Sequence, residues 1–428
     1  MTSEPARAYV WTWLPEHTEP VVAGVLQDTG DVVNGEQVLA FRYAASYRER
    51  ADAVSLYTPE LPLGDAVVDP RRIDGREALA MPGALRDAAP DAWGRRVINS
   101  NLAGQPDVDL NELTYLLESG SDRIGALDFQ ASPREYVPRG ERATLEQLVR
   151  VAELIEAGEP VPAQLLAAAG HGTSIGGARP KALIDDEDGT PYIAKFSSST
   201  DDRPVVFAEA VAMLLAQHAG LDVAPVQVVR SAGKDVLMVR RFDRVETRTP
   251  TGAARTRRQM VSMLTVLGVA ETSSRHESYA AIAHSIRSGP WTDPGRTLRE
   301  MFARLVFNVL VGNNDDHLRN HAAFWDGGHL ALTPAFDLCP QPRRTPVSSQ
   351  AIAITSDGQR ASQLRVCRMV AGDFTLTARE ADQIIERVHG AVVDHFPEAC
   401  DQARVPATER ALLWGREFCN EYVFRDVS

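Results

Sequence analysis

The chain has 428 residues, 44% of them apolar and 24% charged, enough apolar material for more than one packed core, which excludes disordered and fibrous classes. Fifty-eight acidic residues against 45 basic ones give a net charge of −13; a protein that grips DNA by itself needs a basic footprint, so any nucleic-acid role would run through a partner. Among the 45 cations only Lys181, Lys195 and Lys234 are lysine, and a lysine retained in an arginine-writing chain marks a place where a compact point charge suits better than a planar fork.

The N-terminus shows no apolar stretch after a basic segment, and no apolar run approaches a membrane span, so the expectation is a soluble, cytoplasmic protein with no membrane contact. Cys339, Cys367, Cys400 and Cys419 form no CxxC pair and read as incidental thiols. Residues 8–60 alternate apolar runs (Val21 to Leu26, Val38 to Tyr43) with turn signals at Asp31 and Asn34-Gly35, which predicts strands and hairpins. Residues 80–120 read as helical, with Leu113, Leu116 and Leu117 on one face. Residues 1–135 therefore form an N-terminal α/β subdomain, closed by the Pro- and Gly-punctuated stretch Ser132 to Gly140.

A helix is predicted from Thr144, with Gln147 as capping-box partner and Gly158 as terminator. Residues 181–196 read as a hairpin turning at Asp185 to Gly189. Val205 to His218 has helical spacing, Val223 to Val229 is strand-like, and Asp235 to Arg240 pairs with it across Ala232-Gly233. Residues 141–243 thus have the order strand, strand, helix, strand, strand. Arg244 to Arg258 reads as a polar loop. The remainder of 244–428 reads as mainly helical, including Leu298 to Val311, Thr377 to His389 and Thr408 to Tyr422. The fold class is α+β: a small mixed lobe, a mainly helical lobe and the N-terminal subdomain.

Chemistry concentrates in Gly312-Asn-Asn-Asp315-Asp316-His317-Leu-Arg-Asn320, which follows an apolar helix. Phosphoryl transfer from ATP needs a carboxylate to accept the proton of the attacking hydroxyl, and oxygen ligands for Mg²⁺. Asp315 and Asn320 stand five apart, the interval of the catalytic Asp and metal-binding Asn in a kinase catalytic loop. Asp316 shortens it to four and is the weaker candidate. Downstream, a hairpin turning at Asp326-Gly-Gly would deliver Thr333-Pro-Ala-Phe-Asp337 beside the loop, with Asp337 as second metal carboxylate. Lys195 sits on a strand where a phosphate-binding lysine would stand, and Glu209 on the next helix can pair with it. Gly170-His-Gly172-Thr-Ser174-Ile-Gly176-Gly177-Ala178-Arg-Pro-Lys181 is a Gly-dense loop leading into a strand, suited to close backbone approach to phosphate. It is not a Walker A loop, because Ala178 stands where lysine is required. Arg240, Phe242 and Asp243 would lie at the lobe connection.

Together these residues, with Leu61-Pro-Leu63, Pro82 to Asp87 and Pro90-Asp-Ala-Trp-Gly94, resemble the HipA family of serine/threonine kinase toxins of bacterial toxin–antitoxin pairs. The resemblance implies a protein-kinase-like fold using ATP and Mg²⁺. It makes Asp315 the catalytic base, Asn320 and Asp337 the metal ligands and Lys195 the phosphate-binding lysine. Gly176, Gly177, Ala178 and Lys181 would cover the phosphates, His317 would sit in the catalytic loop, and Arg240, Phe242 and Asp243 would hold adenine and ribose. It further implies autophosphorylation at Ser174, with Thr173 as the adjacent alternative, that expels the loop and switches the enzyme off. Its implied partners are a small helix-turn-helix antitoxin, operator DNA reached only through that antitoxin, and a protein substrate of the kind represented by aminoacyl-tRNA synthetases. The contrasting reading is a catalytically silent module that acts as an antitoxin-dependent co-repressor.

Overall fold

The computed structural model describes residues 5–140, 143–159, 161–162, 165, 179–197, 203, 205–250, 252–341, 345 and 347–425. Strands β1 (Arg7–Thr12), β2 (Val21–Val33), β3 (Glu36–Tyr43) and β4 (Leu127–Gln130) form an antiparallel sheet in the order β3-β2-β1-β4. The β2–β3 turn is made by Asn34 and Gly35, both at positive φ (52° and 86°), as a tight hairpin requires. Val10, Leu26, Leu39, Phe41 and Phe129 are fully buried on this sheet. The helical stretch after it resolves into α1 (Ala92–Ala103) and α2 (Glu112–Glu118). Their first turns are capped by Asp91, which accepts from the Gly94 amide at 2.9 Å, and Asn111, which accepts from the Thr114 amide at 2.8 Å.

Helix α3 (Leu145–Ala157) carries the expected Thr144–Gln147 capping box and ends at Gly158 in the left-handed conformation. It buries Leu148, Val151, Ala152 and Ile155 in one cluster with residues of a second antiparallel sheet. That sheet comprises β5 (Lys181–Asp185), β6 (Pro191–Phe196), β7 (Val226–Ser231) and β8 (Lys234–Arg240) in the order β5-β6-β8-β7, with α4 (Val205–His218) between its second and third strands in sequence. Every residue of α4 from Val205 to Ala216 is buried, so Glu209 is a carboxylate inside an apolar helix and requires a partner.

The stretch from Arg244 to Arg258, expected as a loop, is instead a hairpin of β9 (Arg244–Thr249) and β10 (Gly252–Arg257). Arg and Thr occupy both faces, so the alternation that marks a strand has no apolar half to read. Side-chain contacts anchor it: the Arg257 guanidinium lies 3.4 Å from the Trp13 ring centroid, and Arg255 reaches Asp185 at 3.2 Å.

The remaining body is mainly helical around a small sheet of β11 (Gln259–Ser262), β12 (Ala322–Trp325) and β13 (Leu330–Leu332). Its helices include α5 (Tyr279–Ser288), α6 (Pro294–Val311) and α7 (Ala378–Gln402). The last begins at the Thr377–Glu380 capping box and runs past the expected end at His389, through Gly390 and Pro397. The single helix expected over Thr408 to Tyr422 is not formed. A helix at Ala407–Leu413 stops, Gly415 turns the chain at φ 75°, and a 3₁₀ turn follows at Glu421–Phe424. Only Leu413 of that short helix is buried, so little packing supports extension. Among the described residues, no helix is long and apolar enough to cross a membrane.

Candidate active site

Helix α6 delivers the acidic loop. Asp293 caps its start, accepting from the Arg296 amide at 3.0 Å, and Pro294 occupies the first turn. Leu305 to Val311 are fully buried, and Gly312 ends the helix at φ 71°. A Cβ on Gly312 would come within 2.7 Å of the Glu417 carbonyl oxygen, so both backbone conformation and space demand glycine there.

Past this stop, neighbouring carboxylates diverge. Asp316 is 1% exposed; its Oδ2 accepts from the Tyr279 hydroxyl and lies 3.1 Å from Nε2 of His321. Asn308 donates to the same tyrosine at 3.2 Å and receives Asn313 Nδ2 at 3.1 Å. Asp315 faces solvent. Desolvation raises its carboxyl above the usual range, His317 pulls it down, and Asp337 and Asp316 push it up. A carboxylate whose proton affinity is raised is a better proton acceptor. Asn320 is 8% exposed and donates Nδ2 to the Asp315 carbonyl at 3.4 Å, which leaves Oδ1 as its remaining polar atom. His317 is half-buried beside them, with Nδ1 buried and, among the described residues, without a hydrogen-bond partner.

The predicted hairpin turns at Asp326-Gly327-Gly328, with the Gly328 and His329 amides donating to Asp326 Oδ1 at 2.8 and 2.7 Å. After it, fully buried Arg304 of α6 donates to the Thr333 carbonyl at 2.8 Å, and Ala335 exchanges backbone bonds with Asp222 and Ala224 at 2.7 and 2.9 Å. Asp337 follows in the left-handed region at φ 57°, an uncommon conformation for a residue with a side chain, of the kind that concentrates at functional sites.

Asp337 meets the second sheet through Lys195. The Lys195 ammonium pairs with Asp337 and, at 2.5 Å, with Glu209 Oε1. Burial alone would depress the lysine; Asp337 and Glu209 reverse this and hold it strongly protonated. Burial would raise Asp337, but Lys195 and Lys181 hold its carboxyl well below the ordinary range. Glu209 remains raised, burial outweighing Lys195. Among the described residues two carboxylates pair with the Lys195 ammonium, Lys181 being paired with Asp91, and Asp337 keeps 41% side-chain exposure, so a negative charge faces solvent beside Asp315 and Asn320.

Lys181 and Lys195 are cross-strand partners on β5 and β6, placing both on one face. Lys181 is 7% exposed, with Nζ 3.6 Å from Asp91 Oδ2, while Trp93 Nε1 donates to its carbonyl at 3.1 Å. The Pro90–Gly94 motif thereby acquires a physical reason: it caps α1 and ties the first sheet's domain to the strand beside the site. Sequence reading missed this link, since nothing in the spacing pairs Asp91 with a lysine 90 positions on.

At the lobe connection the expected group does not act together. Arg240 is exposed and Phe242 is half-buried, its ring 5.9 Å from Phe324 and 5.8 Å from Phe336. Asp243 is 2% exposed, and its carboxylate is enclosed: Arg241 binds it twice, at 3.0 and 2.8 Å, Arg244 at 2.9 Å and the Gly125 amide at 2.8 Å. Arg241 also reaches Asp122 at 3.0 Å and the Arg123 carbonyl at 2.7 Å. Asp243 is committed to joining the domains, which takes its carboxylate away from a ribose, and Arg241 is its counterion. Ser174, Gly176, Gly177 and Ala178 lie outside the described residues. The third lysine, Lys234, pairs with Glu153 of α3 at 3.1 Å.

A lysine-bearing antiparallel sheet, a buried helix glutamate bound to that lysine, and a helical body presenting Asp315, Asn320 and Asp337 define a kinase-like α+β fold. Residues 173–396 match the model of the HipA-like C-terminal domain and residues 18–130 that of the HipA N-terminal domain. The chain belongs to the HipA family. It is 26% identical over 293 residues, 60% of this chain and 66% of the relative, to a Sinorhizobium fredii protein named "Putative kinase Y4mE". It is 28% identical over 189 residues, 39% of this chain and 42% of the relative, to the serine/threonine-protein kinase toxin HipA of Shewanella oneidensis. The chain thus spans under two thirds of the length of both curated relatives. Among solved structures, the Shewanella oneidensis MR-1 complex of HipA, HipB and operator DNA aligns with a TM-score of 0.67 at 18% identity, covering 98% of this chain and all of that one.

Proposed function

We propose that this chain is an ATP- and Mg²⁺-dependent serine/threonine protein kinase of a toxin–antitoxin pair, switched off by autophosphorylation at Ser174. The observation that carries the reading is Lys195 held between Glu209 and Asp337, with Asp315 and Asn320 alongside. The donor set fits a hard divalent cation: Asp337 is anionic, half-exposed and in carboxylate excess, and Asn320 retains its amide oxygen. When bound, Mg²⁺ would neutralise charge on the β- and γ-phosphate oxygens.

The chain's own groups then divide the work. Lys195 releases Asp337 and holds nucleotide phosphate, while Glu209 keeps the ammonium in place. Asp315 orients the acceptor hydroxyl and takes its proton as the oxygen–phosphorus bond forms and the bond to the ADP oxygen breaks. Asp316, fixed by Tyr279 and His321, orients the loop and stays out of the transfer. A helix-turn-helix antitoxin is the natural route to DNA for a chain with net charge −13, and the solved relative is a complex with HipB and operator DNA.

The test is intact-mass spectrometry after incubation with ATP and Mg²⁺, with site mapping. One phosphate on Ser174, lost in Asp315→Asn, is expected. Incorporation that persists in Asp315→Asn removes Asp315 as the base, and a chain that neither incorporates phosphate nor binds ATP is a silent binding module.

A further inference from the structure

Away from this site, α4 and α7 meet at a second cluster. His218 is the last residue of α4, while His395 and Glu398 lie one turn apart on one face of α7. The His218 and His395 rings stack with centroids 4.1 Å apart and planes within 11°, and His395 Nδ1 is 3.0 Å from Glu398 Oε2. Each residue offers one ligand atom, and the three atoms lie within 4.8 Å of one another. We propose that His218, His395 and Glu398 form a binding site for a divalent transition-metal ion of the zinc class that clamps α4 to α7.

The donor chemistry selects the ion. Two imidazole nitrogens and one carboxylate oxygen suit Zn²⁺, which takes such ligands at about 2.0–2.2 Å, and suit Mg²⁺ poorly. Side-chain rotations that part the stacked rings bring the three donors together, and His395 exchanges its hydrogen bond to Glu398 for shared coordination, with any proton on the ligating nitrogen released to water. His218 and Glu398 are exposed, so the ion enters from solvent and keeps a position for water, as three-ligand sites do. The end of α4 adds a favourable field, since its carbonyls carry partial negative charge. Pro397 gives α7 no amide to donate at this turn, and Arg387 of α7 already donates to the Ala219 carbonyl just past α4.

His218 and His395, 177 residues apart in sequence, meet only when α4 docks on α7, so ligation reports and stabilises that docking. α4 also carries Glu209, nine residues before His218 and about 13 Å away along the axis. The site therefore anchors the far end of the helix that holds Lys195. This rests on packing alone and stands whether or not the chain transfers phosphate.

The experiment titrates ZnCl₂ into the chelator-treated full chain by calorimetry, with thermal melts in parallel. Expected are one zinc per chain, a melting temperature raised by zinc, and an isotherm unchanged by millimolar Mg²⁺. His218→Ala and His395→Ala each weaken binding by roughly 10–100-fold or more and abolish the zinc-dependent rise, and Glu398→Gln weakens it less. His218 and Glu398 are exposed and His395 is half-buried, so each variant folds, and its own zinc-free melt is the baseline against which its response to zinc is read. Zinc bound with undiminished affinity in both histidine variants, or no zinc bound by the parent, overturns the proposal.

Discussion

Two ionic clusters flank the strand-bearing lobe, one gathered around Asp243 and the other around Lys195. At the lobe connection, Arg241 and Arg244 face Asp122 and Asp243. Each carboxylate is met by at least one guanidinium, with Arg257 as a further cation near Asp122, the Asp243 oxygens are all engaged, and the side chains of Arg241 and Asp243 are 0% and 3% exposed. Around Lys195 the count is two carboxylates to one ammonium, with Asp337 open to solvent and its backbone in the left-handed region. A network whose carboxylates are all taken up by guanidiniums can only hold parts together. An open, unbalanced one has a charge left for a ligand. The cations follow suit: planar guanidinium forks fill the closed cluster, where several oxygens must be met at once, and a point-charge ammonium serves the open one.

The contrast breaks most severely if stability and activity fail to separate. Arg241→Ala leaves Asp243 and Asp122 short of a counterion in a buried place, which should destabilise by about 3–5 kcal/mol, read as a lowered urea midpoint. Asp337→Asn should do the reverse: a phosphate-incorporation rate lower by about 10²–10³-fold with the urea midpoint nearly kept. An Arg241→Ala chain as stable as the parent would mean that the closed cluster holds nothing.

The adjacent aspartates sharpen the same division at one-residue resolution. Asp316→Asn replaces the carboxylate shared by Tyr279 and His321 in a fully buried network with a neutral amide that keeps one acceptor oxygen and adds an N–H₂ donor, at a cost of about 1–3 kcal/mol. Asp315→Asn, at an exposed position, should leave the melting temperature within a degree or two while ending phosphate incorporation. Equal losses of stability from both would show that the loop does not distinguish them.

How much of this was legible depended on distance along the chain. The capping box at Thr144, the helix start at Thr377, the Asn34-Gly35 turn and the Asp326 hairpin are written within a few residues, and the structure forms them where the sequence places them. Lys195 and Glu209 were legible as neighbours because they stand as the strand lysine and next-helix glutamate of a kinase pair do. Asp243 was not, since its fate is decided by Asp122, Arg123 and Gly125, more than a hundred residues earlier. The β9–β10 hairpin escaped because arginine stacking and ion pairs hold it. Lys181 looked like a phosphate-loop lysine, yet Asp91 in another domain lies against it.

That last contact carries the smallest effect. Burial raises the Asp91 carboxyl to about 6, from an ordinary value of 3.8, with Lys181 opposing. A carboxyl whose folded-state pKa is raised favours the fold most when protonated. Its contribution is fully present below about pH 4 and is lost as pH climbs through 6. Asp91→Asn is neutral throughout and lacks this loss. The stability of the parent relative to Asp91→Asn should therefore fall between pH 4 and 6 by on the order of 2 kcal/mol and be level above it, measured as paired urea midpoints at each pH. A difference that stays flat across that window would mean that Asp91 is solvated in solution, and that Lys181, freed of it, belongs to the open cluster with Lys195.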